Sequence, residues 1–355
     1  MRSFDGLQPA RSWYSVEGPE YDVVLSTRIR LSRNLVSYRY PHMLSRAESA
    51  ELTSRIISTV GKWDTEHRYA FMELGALSDW DRERLAERSI IPARFLKLPD
   101  RPMFLRDDER VAITIGDVDH IRVHAVGAGL CPEELVQETD KAESGLDADM
   151  HFAVSMEWGY LSTVIHNLGT GMKVSALVHL HALKALEELD GIVEALDRNG
   201  VSLEGFTDGS RNTGLCILAT QKSLGVSESE LVRQLEGAVM QLVHYERDAR
   251  SRLVSTRRLE IEDRVHRSAG TLKSARRVDA DEALYALSWL RFGVSTGMVT
   301  DTDATTVTEL LFRTQHAHVA ATLGPDDDDD MEEGVLVQEQ RAAIIRNELS
   351  PSGGT

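Results

Sequence analysis

The chain has 355 residues, 42% of them hydrophobic and 27% charged, with a formal net charge of −17. These proportions are ordinary for a globular protein, and the length suggests about two domains, large enough to bury cores without disulfides or structural metal. So acidic a chain lacks the cationic surplus that a nucleic-acid backbone or an anionic membrane surface requires, so neither is an expected partner. The two cysteines, Cys131 and Cys216, lie in no CxxC or CxxH pattern. The N-terminal residues lack the apolar core of a signal peptide, and no apolar run approaches the length of a membrane span. A cytoplasmic location is therefore expected.

Residues 1–20 are polar and rich in Gly, Pro and Ser, and read as an irregular lead-in. Over 24–31 the period is two, with Val24, Ser26, Arg28 and Arg30 on one face and Leu25, Thr27, Ile29 and Leu31 on the other, which predicts a strand. Residues 45–62 and 78–88 predict helices, the second opened by the N-cap signal Ser78-x-x-Asp81. Val111, Ile113 and Ile115 alternate with Ala112 and Thr114, and Ile121, Val123 and Ala125 alternate with His120, Arg122 and His124. Gly116-Asp117-Val118-Asp119 between these two strands fits a hairpin connection.

Asn167-Leu168-Gly169-Thr170-Gly171 reads as a turn, followed by a helix over about 172–197 in which Leu177, Leu180, Leu183 and Leu186 recur, with Gly200 as its stop. A further helix opens at Ser227-x-x-Glu230 and runs to about 250. Hairpin-like joins between strands favour an α+β fold, an antiparallel sheet carrying helices, over a doubly wound parallel sheet. Beyond Ser251 the pattern is helical only: one helix marked by Ile261, Val265, Ala269 and Leu272, then 279–292, 305–323 and 338–349, with an acidic loop over 326–333. The expected organisation is a lead-in over 1–20, a main domain over 21–250 and a helical C-terminal domain over 251–350.

Arg28 and Arg30 share one strand face, and Arg122 lies on the polar face of another strand. Guanidinium forks suit phosphate oxygens, so these residues form either an anion site or a ladder of arginine–carboxylate pairs; spacing alone leaves both open. The Gly169-Thr170-Gly171 turn, with Lys173 just beyond it, is either a plain helix entry or an anion-binding helix N-terminus. Residues 205–210, in EGFTDGS, read as a polar loop. In the pairs His179/His181 and His316/His318 an i, i+2 spacing on a helix separates the side chains, so no metal site is expected.

Together, LSTRIRLSRN (25–34), DHIRVHA (119–125), NLGTGMKVSALVHLHAL (167–183) and QKSLGVSESELV (221–232) resemble the ATP:guanido phosphotransferases, or phosphagen kinases. The bacterial protein-arginine kinases look like the nearest branch. The likeness covers about 20–250 well and extends more loosely into the tail through HAHVAATLG and QRAAIIR. It implies an antiparallel sheet flanked by helices (a phosphagen kinase or glutamine synthetase-like catalytic domain) followed by helices. It implies ATP, with Mg2+ carried on it, as the cofactor, and transfer of the γ-phosphoryl to a guanidinium nitrogen of an arginine-containing protein substrate. By that likeness Arg28, Arg30 and Arg122 match phosphate-binding arginines, within a nucleotide-binding set of Ser26, Thr27, Arg28, Ile29, Arg30, Arg122, Lys173, Val174, Ser175, Ala176 and Leu177. Lys173 stands where the family usually has another arginine.

The same comparison shows departures. The catalytic glutamate of the family's Asn-Glu-Glu-Asp-His segment is Val118 here, in Gly116-Asp117-Val118-Asp119-His120. The second glutamate, in the loop after the long helix, aligns with Arg211, and Glu204 replaces a common arginine. The family's reactive cysteine aligns with Val164. The tail reads Val337-Gln338-Glu339-Gln340-Arg341-Ala342 where phosphoarginine-sensing relatives carry Arg-Asp-x-x-Arg-Ala. Asp117, Asp119 and Asp208 are the carboxylates left to compensate. Two functions follow: a protein-arginine kinase that uses these aspartates, or a degenerate member that binds ATP without transfer and acts on protein partners. The helical tail is the candidate surface for a homodimer or another partner.

Overall fold

The structure is a computed structural model and describes residues 12–98, 100–206, 213–323 and 334–350. Its strands are β1 (Val24–Arg33), β2 (Tyr69–Glu73), β3 (Pro102–Arg106), β4 (Val111–Ile115), β5 (Ile121–Ala128), β6 (Val154–Ser155), β7 (Gly159–Tyr160), β8 (Met172–His179), β9 (Val201–Gly205) and β10 (Leu215–Thr220). Its helices are α1 (Arg46–Trp63), α2 (Asp79–Glu87), α3 (Pro132–Met150), α4 (His181–Ala185), α5 (Leu189–Arg198), α6 (Glu228–Ser274), α7 (Ala280–Ser295), α8 (Ala304–Arg313), α9 (His316–Ala320) and α10 (Val335–Leu349).

Eight strands form one antiparallel sheet in the order β2-β3-β4-β5-β1-β8-β10-β9, while β6 and β7 pair separately. The period-two reading of β1, β4 and β5 holds, and residues 116–119 join β4 to β5 as a hairpin. Ile29 and Leu31 of β1, Val123 and Ala125 of β5, and Val174 and Ala176 of β8 are all buried on one face of the sheet. Helices α3 and α6 cover that face, and α1 packs on α3.

The other face carries a smaller apolar cluster at its β2–β4 end. Met72, Leu74, Met103, Leu105 and Ala112 meet Leu85 of α2 and Ile90, Ile91 and Phe95 of the following segment. This cluster presses α2 and residues 90–95 onto the sheet and leaves a wall beside the centre of that face.

The helix expected over 172–197 is instead strand β8 followed by the short helices α4 and α5. The leucines spaced by three run across a strand, a bend and a helix. Within 172–178 the true period is two: Met172, Val174, Ala176 and Val178 are buried on the core face. Gly171, at φ +61°, lets the chain enter β8 directly from the turn. The helix expected over 305–323 is also divided, into α8 and α9, because Gln315 is extended (φ −67°, ψ 161°). Glu87 of α2 stabilises the restart by accepting from the amides of Ala317 and His318.

The helix begun at Ser227 does not stop near 250. As α6 it continues to Ser274, with one non-helical residue, Arg257 (φ −132°, ψ 35°). Within the lead-in, Trp13 and Tyr14 are buried and contact the Phe312 ring of α8 at centroid distances of 4.8 and 5.1 Å. His179 and His181 are brought together rather than separated, because one ends β8 and the other begins α4; both meet Ser288 Oγ of α7, at 2.8 and 2.9 Å. The acidic run 326–330 lies outside the described residues.

Gly169 and Gly225 separate crowding from backbone strain. Both have positive φ (+99° and +76°), but a Cβ on Gly169 would lie 2.2 Å from Ser223 O, whereas one on Gly225 meets nothing within 4 Å. Gly225→Ala is expected to lower stability by about 1 kcal/mol through strain alone, and Gly169→Ala by about 3 kcal/mol through strain plus overlap. Denaturant unfolding of both variants checks the difference; equal losses would refute it.

Candidate functional site

The register across β5, β1 and β8 sets the site. Arg30 stands directly opposite His124 on β5 and Lys173 on β8, and Arg28 opposite Ser175 on β8. Arg122 stands between Thr114 of β4 and Ser32 of β1. Directly opposed residues of antiparallel strands share a face, so Arg28, Arg30, Arg122, His124 and Lys173 are gathered on three neighbouring strands. They line a cavity of about 390 Å³, walled by residues 89–94, into which Arg94 brings a further guanidinium. Glu204 of β9 lies at its far side.

Carboxylates do not neutralise this group one for one. Arg122 Nη1 lies 2.8 Å from Asp117 Oδ2, but the same aspartate is bonded by Arg94, whose Nε donates to Oδ1 at 2.8 Å. Among the described residues, Arg28 and Lys173 make no side-chain hydrogen bond or ion pair. The Nε atoms of Arg28, Arg30 and Arg122 and Nε2 of His124 are buried without a partner. Arg122 keeps an unpartnered Nε even while paired to Asp117, and Arg28 has no carboxylate partner among the described residues, so the group is not a ladder of one-to-one arginine–carboxylate pairs.

The titration shifts follow from that crowding. Burial, then the charge of Arg30, lowers the Arg28 pKa to about 10. Burial and Arg30 lower Arg122 to about 10 as well, against the pull of Asp117. Lys173 is lowered by burial and by Arg30, with Glu204 opposing. His124 is held far below the usual imidazole range by burial and by Arg28, Arg122 and Arg30, so its ring is neutral. The folded protein binds the Arg28 proton less tightly than the unfolded chain does. Its penalty on stability is therefore fully present at neutral pH and is relieved only as pH rises through about 10.

Strand alternation divides the residues named from the sequence. Ser26, Arg28, Arg30, Arg122, Lys173, Ser175 and Leu177 belong to the cavity face. Thr27, Ile29, Val174 and Ala176 turn to the helix-covered face, where Thr27 Oγ1 donates to Gly129 O at 2.7 Å. Asp117 is taken up by Arg94 and Arg122; burial raises its pKa, but those two guanidiniums outweigh burial and leave it below the ordinary carboxylate range. Asp119 is 1% exposed and accepts from Asn34 Nδ2 and Ser162 Oγ, both at 2.6 Å, and from Asn167 Nδ2 at 2.8 Å. Asp208 lies outside the described residues, as does Arg211. Among the described residues, no group of three or more His, Cys, Asp or Glu gathers as a resident metal would require.

Two predicted features of the glycine turn change. It opens a strand, so no helix dipole points at the cavity from there. The Gly169 amide donates to Tyr160 O at 3.2 Å and the Thr170 amide to Ser223 O at 2.9 Å, so neither is free for an anion. Conversely, His124 and Arg94 were not among the named site residues. His124 could have been found by continuing the Arg122 alternation by one step. Arg94 carries no such signal, because tertiary packing of residues 90–95 delivers it.

Residues 51–249 match the family model for the ATP:guanido phosphotransferase C-terminal catalytic domain, and residues 258–353 that for the protein-arginine kinase McsB C-terminal domain. The chain belongs to the ATP:guanido phosphotransferase family. Within this family it is similar to proteins named protein-arginine kinase. One, from Halothermothrix orenii, is 32% identical over 317 residues, covering 88% of this chain and 90% of that one. Another, from Desulforamulus reducens, is 32% identical over 324 residues, covering 90% and 91%. The fold is that of solved phosphagen kinases. Lombricine kinase superposes with a TM-score of 0.56 at 22% identity, over 68% of this chain and 73% of that chain. The duplicated taurocyamine kinase of Schistosoma mansoni with bound transition-state analogue components gives 0.57 at 20% identity, over 68% of this chain and 36% of that one. In this guanido phosphotransferase-family chain, then, a cationic cavity lies on the open face of the sheet, and Asp117 and Asp119 hold its surroundings in place.

Arg28→Met is expected to raise the stability of the empty protein by about 1 kcal/mol, because it removes a buried cation that has no counter-charge. It should at the same time reduce the stabilisation given by added tripolyphosphate. Thermal unfolding with and without tripolyphosphate checks both; a less stable variant would make Arg28 a net contributor to the fold.

Proposed function

We propose that this guanido phosphotransferase-family protein binds ATP through the cationic cavity and acts as a nucleotide-dependent interaction module, without phosphorylating arginine. The observation that carries this reading is the contrast between free cations and occupied aspartates, with Glu204, which also lines the cavity, set against Lys173. Arg28 and Lys173 have no described side-chain partner, while Arg94 and Arg122 share Asp117. A triphosphate supplies the missing negative charge through several oxygens at once, and Mg2+ would enter bound to it.

Transfer to a guanidinium asks for more. The acceptor is a cation with a pKa above about 12, so a carboxylate must hold it, orient one nitrogen and take its proton. Val118 has no group for this task, and the nearby aspartates are occupied. Asp119 already accepts three hydrogen bonds. Asp117 is claimed by Arg94 and Arg122 and has a lowered proton affinity. Arg211, at the position matching the second family glutamate, would repel an arginine acceptor. Both cysteines are free, which suits a cytoplasmic setting, and no described helix is long and apolar enough to cross a membrane. The helical tail is the proposed partner surface.

The kinase reading has in its favour the two matched family models and the name shared by the similar relatives, and the two readings part cleanly in experiment. Calorimetry with MgATP is expected to show binding that Arg28→Ala and Arg122→Ala each weaken measurably. Incubation with MgATP and arginine-bearing proteins, followed by mass spectrometry for acid-labile phosphoarginine, is expected to show no product. The double variant Val118→Glu, Arg211→Glu is expected to produce it. Phosphoarginine from the unaltered chain would establish the kinase instead, and an absence of ATP binding would remove both readings.

A further inference from the structure

Arg30 differs from Arg28 in having a fixed neighbour outside the cationic group. Its Nη2 donates to Asn167 Oδ1 at 3.0 Å. The Asn167 amide can present its oxygen to Arg30 only if its NH2 group finds an acceptor on the other side. Asp119 provides one, since Asn167 Nδ2 donates to Asp119 Oδ2 at 2.8 Å. Asp119 is itself immobilised, because Asn34 Nδ2 and Ser162 Oγ both donate to its Oδ1 at 2.6 Å. Asn34 is anchored in turn, with Oδ1 accepting from the His120 amide at 3.0 Å and Nδ2 also donating to Leu161 O at 3.0 Å. The relay thus starts on the backbone of His120, just before β5, and of Leu161, and it ends on a cavity guanidinium.

Electrostatics points the same way. Burial and the charge of Arg94 lower the Arg30 pKa, and Asp119 and Asp117 oppose them. The relay therefore supports the charge of Arg30 as well as its direction. Without it, the Arg30 fork would have no hydrogen-bond partner among the described residues.

We propose that Asn167, oriented by Asp119, is a positioning residue that aims Arg30 at the phosphates of bound ATP. This rests on the reading that a triphosphate occupies the cavity. Asp119, one of the carboxylates considered for holding an acceptor, acts from behind two intervening residues, Asn167 and Arg30. Asp119→Asn keeps the shape but turns one acceptor oxygen into a donor. Because Oδ1 accepts two bonds and Oδ2 one, the new NH2 is best placed at Oδ2, where Asn167 must lose that bond or flip its own NH2 toward Arg30.

A double-variant cycle separates aiming from general support of the fold. MgATP affinity is measured by calorimetry at low ionic strength on the full chain, for the unaltered protein and for N167A, R30A, R28A, N167A/R30A and N167A/R28A, with melting temperatures recorded for each. N167A is expected to weaken binding about tenfold, the worth of one hydrogen bond to a charged group. It should add nothing in the R30A background and its full effect in the R28A background. D119N should weaken binding to a similar extent; should it fail to fold, N167A still decides, because it leaves the other two donors of Asp119 in place. Unchanged affinity in N167A, or equal losses in the R30A and R28A backgrounds, would overturn the relay while leaving nucleotide binding intact. No MgATP binding by the unaltered chain would overturn the proposed function and the relay together.

Discussion

The structure depends on a conflict between the two faces of one sheet. On the cavity face, Arg122 and His124 of β5, Arg28 and Arg30 of β1 and Lys173 of β8 stand on neighbouring strands, where opposed like charges destabilise the pairing. On the other face, Ile29, Leu31, Val123, Ala125, Val174 and Ala176 are buried beneath α3 and α6. Burying each larger apolar side chain stabilises the fold by about 1.5–3 kcal/mol, and a one-residue slip would exchange the two faces. Apolar burial therefore fixes the register, and the register holds the cations together. The resulting charge stress is an unmet demand for an anion, and it is the reason the cavity is proposed as a binding site.

The two aspartates near the cavity are already bonded to groups of this chain. Asp117 is shared between Arg94 and Arg122, and Asp119 is enclosed by three donors. On the proposed reading, this division would let a guanido phosphotransferase-family chain keep a phosphate-binding surface and lose the acceptor side of the chemistry. Holding a polyanion needs cations that lack partners; deprotonating a guanidinium needs a carboxylate that lacks them. The cavity lining offers the first at Arg28 and Lys173 and the second at Glu204, which faces Lys173 across the cavity.

Much of the cationic face was legible because β1 and β5 keep a strict period of two with unlike residues on their two faces. The same alternation was present in β8, but leucines spaced by three at 177, 180, 183 and 186 masked it, and a central strand was taken for a helix. Its lysine nevertheless faces the cavity, by strand register rather than by helix capping. Arg94 was not legible at all, because nothing local marks a residue that a second apolar cluster swings over the sheet. The relay of Asn34, Asp119, Ser162 and Asn167 joins distant segments through side-chain hydrogen bonds, which leave no periodic trace. Thr27, Ile29, Val174 and Ala176 were named as parts of continuous runs, whereas a strand offers a ligand only every second side chain.

The most direct measurement is a crystal structure of the protein grown with MgATP or a non-hydrolysable analogue. Phosphate oxygens within hydrogen-bonding distance of Arg28, Arg30, Arg122 and Lys173, with Nε of Arg28 no longer orphaned, are the expected result. Nucleotide bound elsewhere, with these four side chains turned apart or each paired to its own carboxylate, would contradict the account.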